Sequence, residues 1–258
     1  MNIVIFTGGN PPDTLDFLKF YGRIVQDDDL IIAADSGIDT LNNILTSIEN
    51  HTLPHSRKST IQENISNSVQ FNTVLKPSFI LGDMDSIQRK SLLNKFPEAE
   101  IQEFNAYKDY TDTELSLKKA YKCNPEANII LVGGNGGRPD HFLGILETFC
   151  SEYHPSVWLC GPQVVYYISD EDTLTAEKLN PCDIISIARV YLGSTEGFVR
   201  SSGLEWEDDC MRKKGMPSIS NRIKCRDTDS LVTVTAHGAP FLIFLPYTAE
   251  VRVQRKDK

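Results

Sequence analysis

The stretch FILGDMDSI, residues 79–87, joins two kinds of residue that oppose each other. Phe79, Ile80 and Leu81 form a continuous apolar run. Gly82 ends it, and Asp83 and Asp85 follow with one residue between them. A run apolar on both faces suits a strand buried within a parallel sheet. Paired carboxylates resist burial and repel each other unless a cation sits between them. The strand is therefore expected to end at an open rim where the two aspartates hold something positive.

Working outward, the same alternation recurs through the first part of the chain. Apolar runs at 3–6, 30–34, 79–81, 101–104 and 128–132 are separated by helical patterns at 13–21, 36–48, 86–96 and 111–122. Strand alternating with helix predicts an α/β, Rossmann-like three-layer domain with a mostly parallel sheet. Beyond residue 153 the pattern changes to short strands with little helix between them, at 157–160, 164–168, 184–190, 231–236, 241–245 and 251–253. That predicts an antiparallel β-sandwich or barrel. The expected domains are 1–154 and 155–258, with a polar insertion at 49–76 rich in Ser, Thr, Asn, Gln and His. His51 and His55 lie in that insertion. Pro54 between them opposes a helix, so they read as loop residues rather than metal ligands.

The 258 residues carry a formal net charge of -9, with 40% hydrophobic and 24% charged residues. No basic cluster interrupts this balance, which argues against a duplex nucleic acid partner. Six cysteines occur without a C-x-x-C pair. With no leader-like N-terminus and no apolar run long enough for a bilayer, they read as reduced residues of a cytoplasmic protein.

Ligands of open parallel sheets collect outside the carboxyl ends of the strands. Four segments place unusual polar residues there: Asp35; Asp83 and Asp85; Asp109 and Asp112; and the loop at 133–140. Several carboxylates with no Cys or His cluster favour Mg²⁺. Asp85 followed by Gln88 also resembles a helix capping box, which leaves Asp83 unexplained. Thr111 and Glu114 form a second such box, so Asp109 and Asp112 read equally as helix-dipole partners or as site residues. GGNGGRPDHF (133–142) offers free backbone amides and Arg138 to an anion, with Pro139 opening a helix. Tight packing is its bland alternative. It lacks the Gly-Lys-Ser/Thr ending of a P-loop and the spacing of the dinucleotide fingerprint. Acids, a divalent cation and an anion cradle together point to phosphoryl-group chemistry.

Six segments in order resemble the thiamine pyrophosphokinase family: ADSG (34–37), GDMDS (82–86), KDYTDTE (108–114), GGNGGRPDH (133–141), SSGLEW (201–206) and SISN (218–221). Ser36 stands where the family usually has glycine, and residues 207–217 are more charged than its pattern. The resemblance implies transfer of a pyrophosphate group from ATP to the hydroxyl of thiamine, giving thiamine diphosphate and AMP. It implies that Asp35, Asp83, Asp85 and Asp112 hold Mg²⁺, with Asp83, Asp85, Asp109 and Asp112 catalytic. Lys108, Thr111, Gly134, Gly136, Gly137, Arg138 and Asp140 would serve the nucleotide phosphates. Ser218, Ser220 and Asn221 would bind the aminopyrimidine of thiamine. Trp206 would stack on a ring or pack in the core. The resemblance further implies a homodimer with thiamine bound between subunits. Two alternatives stay open from the residues themselves: another Mg²⁺-dependent enzyme on the same first domain, and a non-catalytic nucleotide or thiamine sensor.

Overall fold

The structure is a computed structural model that describes residues 1–49, 75–107, 109–191, 194, 196–207, 218–224 and 231–256. Lys108, His51, His55 and most of the polar insertion lie outside the described residues. The chain divides into two compact units, Met1–Gly161 and Pro162–Lys258.

The first unit is built on six parallel strands. β1 (Asn2–Phe6) pairs with β2 (Leu30–Ala34) and β5 (Asn128–Val132); β3 (Phe79–Gly82) joins β2 to β4 (Glu100–Glu103); β6 (Val157–Cys160) lies outside β5. Every residue of β1 is buried, so both faces of the sheet are covered, as the continuous apolar run requires. Helices α1 (Thr14–Tyr21), α2 (Gly37–Glu49), α3 (Asp112–Cys123) and α4 (Pro139–Thr148) supply the connections. Asp13 caps α1 by accepting from Leu15 N. The box of Thr111 and Glu114 caps α3, and Pro139 opens α4. α2 packs on β1 and β2, and α3 on β1, β2 and β3.

Three local expectations differ. The strand at 157–160, expected as the first of the antiparallel set, runs parallel to β5. Residues 86–96 form a 3₁₀ turn, Lys90–Lys95, rather than an α-helix. The capping box of Asp85 and Gln88 does not form, because Gln88 N donates instead to Asp39 Oδ2 at 2.9 Å.

In the second unit, one four-strand set is ordered β11 (Ser218–Asn221), β9 (Ile185–Arg189), β13 (Phe241–Pro246) and β7 (Gln163–Ile168), all antiparallel. The second is β10 (Phe198–Ser202), β12 (Val232–His237), β8 (Thr173–Glu177) and β14 (Glu250–Gln254), also antiparallel. β12 and β8 alternate strictly in burial, with Val232, Val234, Leu174 and Ala176 inward. This period of two marks a sheet with one face buried.

Candidate active site

Asp35 follows β2 at a sharp turn. Its φ is 45°, its backbone N donates to Leu81 O at 2.7 Å, and its carbonyl accepts from Ile38 N at 3.1 Å. A left-handed conformation is uncommon for a residue with a side chain and tends to persist where surrounding structure enforces it. Asp83 follows β3. Met84 turns the chain with φ 60°, and Asp85 N donates back to Asp83 Oδ1 at 3.2 Å. Asp112 is the first residue of α3.

These three strand and helix ends converge. Asp35, Asp83 and Asp112 each present a carboxylate oxygen, and the three oxygens lie within 4.8 Å of one another. Burial pushes the Asp35 carboxyl above the usual carboxylate range, and the charges of Asp112 and Asp83 push the same way. The nearby Ser86 hydroxyl and the Ser36 backbone oppose that rise. Asp35 Oδ1 is buried and has no hydrogen-bond partner among the described residues. A buried acceptor without a donor, on a residue grouped with two further carboxylates, is a poor arrangement for protein alone. It fits a hard divalent cation of the Mg²⁺ type, which takes carboxylate oxygens and keeps sites for water and phosphate.

Asp85 and Asp109 are exposed, and neither belongs to this three-oxygen group. Asp85 accepts from Ser86 Oγ at 2.8 Å. Thr111 engages Glu114 in both directions: its hydroxyl donates to Glu114 Oε2 at 2.8 Å and accepts from Glu114 N at 3.2 Å.

The loop at 133–137 is held against the end of β1. Gly134 N donates to Gly8 O at 2.7 Å, and Asn10 N donates to Asn135 O at 2.6 Å. Gly133 has φ 104°, and a Cβ there would come within 2.6 Å of Thr7 O, so only glycine fits. Gly134, Gly136 and Gly137 also have positive φ. Space opens beyond Gly137, where a Cβ would meet nothing within 4 Å. Arg138 donates from Nε and Nη2 to Asp140 at 3.2 and 2.6 Å, both side chains exposed. The Arg138 guanidinium holds the Asp140 carboxyl below its usual range.

In the second unit, Trp206 is 41% exposed, so it is not a core tryptophan. Asn221 is fully buried. Its Oδ1 accepts from Trp206 N, and its Nδ2 donates to Trp206 O, each at 3.3 Å. Asn221 also reaches Ser218 Oγ at 3.5 Å, while Ser220 is exposed and its N donates to Ser186 Oγ at 3.2 Å. Asn221 thus folds the Trp206 segment onto β11, and Ser220 and Trp206 present polar and aromatic surface beside it.

Several contributors are absent from the sequence reading. The loop after β1, TGGN (7–10), meets the glycine loop; its adjacent glycines at a strand end were the available signal. The fully buried tryptophan is Trp158, whose Nε1 donates to Gly133 O at 2.8 Å. Buried Asp39 accepts from Gln88 N and from Arg89 Nε, at 2.9 and 3.4 Å, and so anchors the segment that carries Asp83. Neither residue had a local sequence signal.

Residues 21–160 match the model of the thiamin pyrophosphokinase catalytic domain. Comparison with curated protein sequences gives no significant match. Among solved structures, the fold is similar to a thiamin pyrophosphokinase family protein from Enterococcus faecalis, 15% identical over 100% of both chains with a TM-score of 0.62. It is similar to thiamine pyrophosphokinase from Bacillus subtilis, 17% identical over 95% of this chain and 99% of that one, TM-score 0.61. Yeast thiamin pyrophosphokinase is 15% identical, covering 96% of this chain and 87% of its own, with a TM-score of 0.59. At such identities the structures speak for the fold, whereas the family model spans more than half of the sequence. This chain belongs to the thiamin pyrophosphokinase family.

Proposed function

We propose that the protein is a thiamine diphosphokinase, transferring pyrophosphate from ATP to the hydroxyl of thiamine with release of AMP. The observation that carries this reading is the convergence of Asp35, Asp83 and Asp112 on one point, within a family of that activity. The thiamine oxygen forms a bond to the β-phosphorus of ATP. The bridge from the β-phosphorus to the α-phosphate oxygen breaks, that oxygen leaves with AMP, and the hydroxyl proton passes to a nearby base.

Asp35, Asp83 and Asp112 would hold Mg²⁺, which when bound offsets charge on the ATP phosphates. Asp85 stays beside them, its backbone fixing Asp83. The residues at 135–137 would accept the phosphates against backbone amides, as glycine-rich turns before a helix do, whereas the amides of Gly133 and Gly134 are bonded to Leu159 O and Gly8 O. Arg138 would exchange Asp140 for a phosphate, which offers the same bidentate geometry. Asp109, Thr111 and Lys108 complete the nucleotide side of this reading. Ser218 and Ser220 would hydrogen-bond the aminopyrimidine, and Trp206 would stack on a ring of thiamine, with cation–π attraction toward the thiazolium. Asn221 shapes that surface through the Trp206 backbone. The net charge of -9 favours approach of a cationic substrate. A homodimer in the cytoplasm, with thiamine between subunits, belongs to the same reading. No described helix is long and apolar enough to cross a membrane.

The test is to incubate the protein with ATP, Mg²⁺ and thiamine and quantify nucleotides and thiamine esters. AMP and thiamine diphosphate in equal amounts, formed only when thiamine is present, support the reading. ADP or phosphate formed without thiamine would replace it with a hydrolase, and nucleotide binding without turnover would replace it with a sensor.

A further inference from the structure

Thr7 stands outside every motif that pointed to the site, yet three of its groups tie separate segments together. Its N donates to Val132 O at 2.9 Å, at the end of β5. Its carbonyl accepts from Thr40 Oγ1 at 3.1 Å, on the helix that follows Asp35. Its hydroxyl lies 2.8 Å from Thr113 Oγ1, on the residue next to Asp112. Thr7 and Thr40 are both buried.

The cap of α3 does not by itself place Asp112. The box of Thr111 and Glu114 is internal to residues 111–114 and defines where the helix starts, not where that start sits against the sheet. The Thr7–Thr113 bond joins the first turn of α3 to the end of β1 across a separation of 106 residues. Through Thr40, the same residue holds the first turn of α2, which begins two residues after Asp35.

We infer that Thr7, acting through Thr113 and Thr40, is a positioning residue that sets the separation of Asp35 and Asp112 and thereby the divalent-cation affinity of the three-carboxylate group. The inference rests on the cation reading of that group. Partners that orient ligands from behind change metal affinity by roughly 10–100-fold when removed. Valine matches threonine in shape but cannot make the hydroxyl bond, so Thr7→Val isolates the bond from the packing.

The experiment measures Mn²⁺ binding to the full chain without nucleotide, from the loss of the free-ion electron paramagnetic resonance signal, at a temperature where circular dichroism shows every variant folded. Thr7→Val and Thr113→Val should each bind Mn²⁺ about tenfold more weakly, the lower end of the range for such partners. The double variant should be no weaker than either single one, because both remove the same bond. Thr7→Ser, which keeps a hydroxyl, should bind close to wild type. Wild-type Mn²⁺ affinity in Thr7→Val, or equal losses in Thr7→Ser and Thr7→Val, overturns the positioning role alone. A wild-type protein that binds no Mn²⁺ overturns the cation site and the positioning role together.

Discussion

Gly82 and Asp35 are in contact across neighbouring strand ends: a Cβ at Gly82 would lie 2.8 Å from Asp35 Cβ, and Gly82 holds φ 149°. The residue that ends β3 must therefore lack a side chain for the carboxylate that ends β2 to sit where it does. Gly82→Ala should push Asp35 away from Asp83 and Asp112. Thiamine diphosphate formation should fall at least tenfold, toward the range for lost metal-site support of about 10–100-fold, while far-ultraviolet circular dichroism stays unchanged.

Asp35→Asn should uncouple stability from activity. The substitution removes a buried charge that two neighbouring carboxylates disfavour. The cation-free variant should unfold no earlier than wild type in a thermal melt, and should lose activity by at least about 100-fold. Such trade-offs are common where a site is built from opposed groups.

Mg²⁺ alone should stabilise the wild type, because a ligand that binds only the folded state raises its unfolding free energy. At 100 times its dissociation constant the gain is about 2.7 kcal/mol. Calorimetry with Mg²⁺ and then with a chelator should show a higher midpoint with the ion, and Asp112→Asn should abolish the difference.

Trp158→Phe should act on the nucleotide side. The Nε1–Gly133 O bond is buried, and its loss leaves a buried carbonyl short of a donor, costing about 1–3 kcal/mol. The KM for ATP should rise, and the KM for thiamine should stay the same.

Asn221→Ala should act on the thiamine side. It removes the two bonds from the Asn221 side chain to the Trp206 backbone. The KM for thiamine should rise about tenfold, equivalent to about 1.4 kcal/mol, with unchanged Mg²⁺ dependence. In the wild type, thiamine should quench tryptophan emission, and Trp206→Phe should remove that quenching while Trp158 remains as background.

Asp35 and Asp83 were legible because each follows an apolar run that stops abruptly, and a buried strand cannot continue through either. The capping box of Thr111 and Glu114 was legible because it is local, complete within four residues. Strand direction was not: residues 157–160 are short and apolar in either orientation, and only pairing with β5 makes them parallel. The helix expected at 86–96 failed because Asp39, 49 residues away from Gln88, takes the amide that a local cap would have used. Thr7 and Trp158 escaped notice for the same reason. Their roles depend on partners distant in sequence, and a lone threonine or tryptophan at a strand carries no periodic signature of such a partner.

The central claim is that carboxylates from three separate segments assemble one cation site that serves pyrophosphate transfer. ³¹P nuclear magnetic resonance of ATP, Mg²⁺ and thiamine with wild type and with Asp112→Asn tests it most directly. The account predicts AMP and thiamine diphosphate in equal amounts with wild type, and neither with the folded variant. Equal turnover by the two proteins, or ADP as the nucleotide product, would contradict it.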